Sequence, residues 1–189
     1  MVLQRSRYGE SDGFAMDMTS RKQLRLPEYD YSTPGAYFVT ICTHNRQCIL
    51  SDIIVGALHE APAVTLHLTE IGKIVAQYIE MLPVRYPNLE VAQYVIMPNH
   101  IHLLLHIGGE RALREAPLQS RGGRSLLAQA IGFLKMNSSK QVHITYPTLA
   151  LWQRSFHEHV IRGERDYREI WEYMDENPAK WAEDRYYAQ

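Results

Sequence analysis

Apolar and polar positions recur along this chain with periods that divide it into elements. Ala36-Tyr-Phe-Val-Thr-Ile-Cys-Thr43 is rich in β-branched and aromatic residues, follows the turn signal Pro34-Gly35, and predicts a first strand. Cys48-Ile-Leu50 extends toward a hairpin, and an irregular stretch is expected from there to about Leu68. Ile71, Ile74, Val75, Tyr78, Ile79 and Leu82 then recur at helical spacing, in a helix that must end before Pro83 or Pro87. Leu89 to Met97 and residues 100–107 read as two strands joined through Pro98-Asn99, an antiparallel hairpin.

The stretch from Gly108 to Arg124 breaks the periodicity with arginines and glycines and predicts a mobile loop. Ser125 is placed to cap a helix from Leu126 to about Lys140, with Leu127, Ile131, Leu134 and Met136 on its apolar face. Trp152, Phe156 and Val160 predict a fourth strand within Leu151 to Ile161. Asp166, with Glu169 three residues on, has the form of a capping box and opens a last helix through Trp171, Tyr173 and Met174. The order β-α-β-β-α-β with an added C-terminal helix is the split βαβ, ferredoxin-like plan of the α+β class. It places the first and third strands side by side at the centre of an antiparallel sheet.

Composition acts mainly by exclusion. With 189 residues, 46% hydrophobic and 22% charged, the chain suits one domain with extensions and is not disordered as a whole. Residues 1–26 lack periodicity and read as an N-terminal extension, mildly basic through Arg5, Arg7, Arg21, Lys22 and Arg25. That leaves 27–189 as the single domain. The net charge is −1, so bulk electrostatics announce no nucleic-acid partner; six basic and nine acidic residues from Arg154 onward leave the preceding part slightly positive. No run approaches the ~20 apolar residues of a membrane span. Two cysteines, Cys42 and Cys48, make no disulfide framework, and a cytoplasmic location is expected.

The candidate chemistry centres on Tyr94-Val-Ile-Met-Pro-Asn-His-Ile-His-Leu-Leu-Leu-His106. Side chains alternate along a strand, so His100 and His102 share one face and can share one metal ion. His106 lies on that face too, but roughly 13 Å from His100 at about 3.3 Å per residue, too far for the same ion. Two ligands are half a site. Tyr173 and Asn177, four residues apart, share a face of the last helix and are available to complete it. Each also has an ordinary reading: Tyr173 as a packing aromatic, and Asn177 as the N-cap before Pro178 of a short helix from Ala179 to Asp184. His157-Glu-His159 is a second pair, either structural or, were it to face the first, part of a four-histidine centre.

Three blocks in this order resemble the HUH single-tyrosine transposases, most closely the REP-associated tyrosine transposase branch. They are Tyr94 to Leu104, Trp152-Gln-Arg-Ser-Phe-His-Glu-His-Val-Ile-Arg162, and Asp166 to Lys180. The resemblance spans roughly residues 30–185. It implies that 27–189 is a transposase-like catalytic domain, that His100 and His102 are the paired histidines, that Tyr173 is the nucleophile, and that Asn177 completes the metal site where other members carry Gln. It further implies Mg²⁺ or Mn²⁺, a 5′-phosphotyrosine intermediate, and single-stranded DNA beside a hairpin or repetitive palindrome. Arg154, Arg162 and His159 stand as candidates for DNA contact, and the chain as a monomer or a homodimer. Two rivals predict different outcomes: a hydrolase using water activated by the four histidines, and a DNA-binding protein that keeps the fold without cleaving.

Overall fold

The computed structural model describes residues 34–57, 62–108 and 125–187. Four strands form one antiparallel sheet: β1 (Gly35–Cys42), β4 (Leu89–Ile96), β5 (His100–Ile107) and β6 (His157–Ile161), in the order β4-β5-β1-β6. The first and third strands of the predicted plan, β1 and β5, are the central pair, with Thr40 opposite His102 and Cys42 opposite His100. The ferredoxin-like arrangement read from the sequence is therefore the one observed.

The two faces of this sheet differ chemically. Tyr37, Val39 and Ile41 of β1 and Ile101, Leu103 and Leu105 of β5 point to one side and are fully buried. There they meet Val75 and Ile79 of α1 (Glu70–Glu80) and Leu127, Ile131 and Leu134 of α3 (Leu126–Thr145), which form the second layer. Thr69 caps α1 by accepting from Gly72 N, and Ser125 caps α3 by accepting from Ala128 N. Burying this many aliphatic side chains, at about 1.5–3 kcal/mol each, supplies most of the drive for folding. Pro83 lies in a four-residue helix, α2 (Leu82–Arg85), directly after α1.

The opposite face carries Phe38, Thr40 and Cys42 of β1 and His100, His102, Leu104 and His106 of β5. Helix α4 (Glu164–Glu176) covers it, with Met174 buried and the Tyr167 ring 5.5 Å from that of His106.

Four expectations need correction. The stretch read as irregular contains a hairpin, β2 (Ser51–Ala57) with β3 (Pro62–Leu68), paired Ser51 to Leu68 through Ala57 to Pro62. It forms its own two-stranded sheet, so its residues never produce the long apolar runs that betray a central strand. The fourth strand starts at His157 rather than Leu151, because Lys135 of α3 takes the carbonyls of Gln153, Arg154 and Ser155 onto its ammonium and removes them from any ladder. The short helix expected after Pro178 is a single 3-10 turn, Trp181–Glu183. The capping box also fails in detail: α4 begins at Glu164, and Asp166 turns to His159 and the Arg162 amide. The predicted N-terminal extension lies outside the described residues, as does the predicted loop beyond Gly108.

Candidate active site

Strand alternation brings the two histidines together as expected. His100 and His102 are fully buried, their rings 4.5 Å apart and their Nε2 atoms 3.0 Å apart. The hydrogen bonds on their far sides decide what those facing nitrogens can be. Asn99 directs its Nδ2 to the carbonyls of Tyr186 (2.8 Å) and Arg46 (3.3 Å), so its Oδ1 must be the atom that meets His100 Nδ1 at 2.8 Å. His100 therefore carries its proton on Nδ1 and presents a lone pair at Nε2. His102 Nδ1 sits 2.8 Å from Thr40 Oγ1, a hydroxyl that can donate or accept.

Burial is the largest influence on both rings. It pushes the His100 pKa down to about 4, against an upward pull from the Asp184 carboxylate and a further downward push from Arg185 and Arg46. His102 is driven well below its ordinary value by burial and by the charge His100 would carry. Both imidazoles are neutral at pH 7, the form a metal requires.

Helix α4 delivers Tyr173 to this pair. Its hydroxyl lies 3.3 Å from His102 Nε2 and donates to Asp184 Oδ2 at 3.1 Å. The Phe38 ring stacks on His102 at 5.0 Å and meets the Tyr173 ring edge-on at 6.1 Å, fixing the angle between strand and helix. Burial, followed by the charge of Asp184 and its hydrogen bond, pushes the Tyr173 pKa well above that of a free phenol. Without a cation the hydroxyl stays protonated.

Asn177, one turn after Tyr173, is buried and faces the same group from another side. Its Nδ2 donates to Asp184 Oδ2 at 2.8 Å, while its Oδ1 is buried without a hydrogen-bond partner. Asp184 was not singled out in the sequence, where it is one of many acids in a polar segment. In the structure it is the third member: ligand atoms of His100, His102 and Asp184 all lie within 4.8 Å of one another. Tyr186 is a further unforeseen residue, buried with its ring 4.8 Å from His100 and 6.0 Å from His102.

These residues fit a divalent cation. With His100 Nε2 bare, His102 either donates an Nε2 proton to it or, by moving that proton to Nδ1 and using Thr40 as acceptor, offers a second lone pair to the same point. Asp184 supplies a negative oxygen, and Asn177 Oδ1 is a buried acceptor still in need of a partner.

The remaining predicted residues lie elsewhere. His157 is opposite Thr40 on β6, which places β1 between it and His102, about 10 Å away at two strand spacings. His159 pairs with Asp166 (Nε2 to Oδ2, 2.8 Å) at the surface. Among the described residues neither belongs to the cluster around His100. Arg154 is exposed on the α3 side of the sheet, lining a cavity with Gly132, Lys135 and Met136. Arg162 is exposed at the end of β6.

In sequence the chain is similar to the single-tyrosine transposases. It is 30% identical over 175 residues to an uncharacterised Haemophilus influenzae protein, covering 88% of this chain and 93% of that one. A second H. influenzae protein, which carries the name REP-associated tyrosine transposase, is 28% identical over 155 residues, covering 80% of this chain and 74% of the other. In fold the chain is similar to the solved structure of a REP-associated tyrosine transposase bound to a REP hairpin, with a TM-score of 0.52, 21% identity, and coverage of 82% of this chain and 74% of that one. No family model matches the sequence. Among the described residues no helix is long and apolar enough to cross a membrane.

Proposed function

We propose that this protein is a metal-dependent endonuclease and strand transferase of single-stranded DNA, acting at hairpin or repetitive palindromic sequences through a covalent 5′-phosphotyrosine. One observation carries the reading: the Tyr173 hydroxyl lies 3.3 Å from His102 Nε2, which itself lies 3.0 Å from His100 Nε2. The relative named as a REP-associated tyrosine transposase supports the assignment of class, and the hairpin in the solved structure of similar fold supports the substrate.

In this mechanism His100 and His102 would hold the cation, and Asp184 and Asn177 would offer oxygens beside it. Nitrogen and oxygen donors with open positions suit Mg²⁺ or Mn²⁺. Such an ion would polarise the scissile phosphate and favour the phenolate. Tyr173 Oη attacks the phosphorus and gives its proton to Asp184 Oδ2, which already accepts that hydrogen. The bond from phosphorus to the 3′ oxygen breaks, and that oxygen leaves as a 3′-hydroxyl after protonation from solvent. The phosphoester is retained on Tyr173, so a second 3′-hydroxyl can reverse the step and join a strand. His159 lies outside the cluster, and it, Arg154 and Arg162 are given no part in these bond changes; their proposed role is DNA contact.

The test is incubation of the protein with hairpin-bearing single strands and Mn²⁺, followed by denaturing electrophoresis. A covalent adduct is expected from the natural protein and none from Tyr173→Phe. An adduct that persists in the Phe variant, or turnover without any adduct, would sink the assignment.

A further inference from the structure

The rim of the histidine site carries two cations that the reaction above does not use. Arg46 follows β1, in a turn where both Asn45 and Arg46 have positive φ, 52° and 54°. Two successive side-chain-bearing residues in the left-handed region are costly and need external support. That support is present: Arg46 N donates to Thr43 O, and Asn99, the residue that orients His100, holds the Arg46 carbonyl. Arg185 comes from the far end of the chain. Its guanidinium carbon lies 4.6 Å from the Tyr186 ring centre and that of Arg46 5.5 Å from the same ring. Arg46 Nη1 also donates to the Arg185 carbonyl at 3.4 Å.

Two guanidiniums drawn onto one ring repel each other. The ion pairs among the described residues, Lys73–Glu70, His159–Asp166, Arg165–Glu169 and Lys180–Glu176, include neither. Both are exposed, and among the described residues each fork makes one hydrogen bond, Arg46 Nη1 to the Arg185 carbonyl and Arg185 Nη2 to the Tyr186 hydroxyl, of the five donors it carries. The Tyr186 ring they share lies 4.8 Å from that of His100, which places both cations beside the histidine pair.

The geometry points to Arg46 and Arg185 as a phosphate clamp that holds a backbone phosphodiester of single-stranded DNA at the rim of the His100–His102 site. A planar fork suits phosphate oxygens, and the anion relieves the repulsion between the two cations. The clamp rests on the DNA-cleavage reading above and adds to it the residues that seat the strand next to the reacting phosphate.

The probe is a fluorescein-labelled single strand that folds into a hairpin with unpaired flanks, bound by the full-length protein over a range of KCl concentrations. Removing one arginine–phosphate pair lowers the slope of log affinity against log salt by about 0.7–0.9. Arg46→Gln and Arg185→Gln are each expected to lower it by that amount, while Arg46→Lys and Arg185→Lys keep the slope and show that the fold survives substitution there. Arg165→Gln, on the exposed face of α4, is expected to leave it unchanged. Slopes unaltered in both Gln variants, with natural protein that binds and forms the adduct, would overturn the clamp and leave the cleavage reading standing. Natural protein that neither binds the strand nor forms the adduct overturns both. A slope reduced equally in the Lys variants shows a structural role for these residues and overturns the clamp.

Discussion

Asn99 Oδ1 accepts the Nδ1 hydrogen of His100 across 2.8 Å, and that one bond determines that His100 presents a lone pair to the site. The same amide ties the Arg46 turn and Tyr186 to the histidine strand through its Nδ2. Replacing Asn99 by Ala frees the ring to take the other tautomer and to rotate. Changes of this kind beside a metal ligand weaken binding about 10–100-fold. Mn²⁺ titration followed by electron paramagnetic resonance should show that weakening in Asn99→Ala. Unchanged affinity would mean that the orientation of His100 is set by packing alone.

Asp184 and Asn177 make separable predictions. Asp184 brings charge to the cluster, whereas Asn177 donates to Asp184 and is the residue that its helix spacing with Tyr173 singles out in the sequence. If Asp184 is a ligand, Asp184→Asn lowers Mn²⁺ affinity by an order of magnitude or more, because a neutral oxygen replaces a charged one. Asn177→Ala then acts through the position of Asp184 and costs less. The reverse ranking in calorimetric titrations would give Asn177 the ligand role and make Asp184 its support.

How far these residues were legible in the sequence follows from how local their signals are. His100 and His102 announce themselves because a strand of period two puts them on one face with nothing else needed. Tyr173 needed the resemblance to single it out among 12 tyrosines. Asp184 gave no signal, since it lies beyond the helix in a segment whose acids look like ordinary surface charge, and only tertiary folding carries it to His100. Asn99 was visible only as a turn residue. The β2–β3 hairpin was missed for a related reason: each of its strands pairs only with the other and contributes no fully apolar run.

Acid should destabilise the metal-free protein through the same buried pair. The unfolded chain binds a proton at each histidine near pH 6.5, but folded His100 resists until about 4. Between those values the unfolded state holds more protons, so stability is complete above 6.5 and falls as the pH drops through that window. His102, pushed down further, extends the loss to lower pH. The combined effect is on the order of a few kcal/mol. Urea midpoints measured with chelator at pH 7.5 and 4.5 should reveal it, and the difference should shrink when both histidines are replaced by Gln. Equal midpoints in the natural protein would show that the pair is hydrated rather than buried.

Gly72 tests the joint that holds the histidine strand to the helical layer. It lies in the first turn of α1, capped by Thr69, whose hydroxyl also donates to the Ile49 and Leu50 carbonyls. A Cβ added at Gly72 would stand 2.0 Å from Leu50 O and 3.0 Å from Leu50 C, which are backbone atoms with no rotamer to escape into. Leu50 N is itself bonded to Pro98 O, in the turn that leads into His100, so the strain passes directly to the site. Helix propensity favours Ala over Gly by up to ~1 kcal/mol in open helices, but an enforced backbone shift costs about 3 kcal/mol and outweighs it. Gly72→Ala is therefore expected to lower the urea midpoint and to weaken Mn²⁺ binding together. A stabilised Ala variant would mean that α1 can slide away from the 49–50 segment without disturbing the Pro98–Asn99 turn.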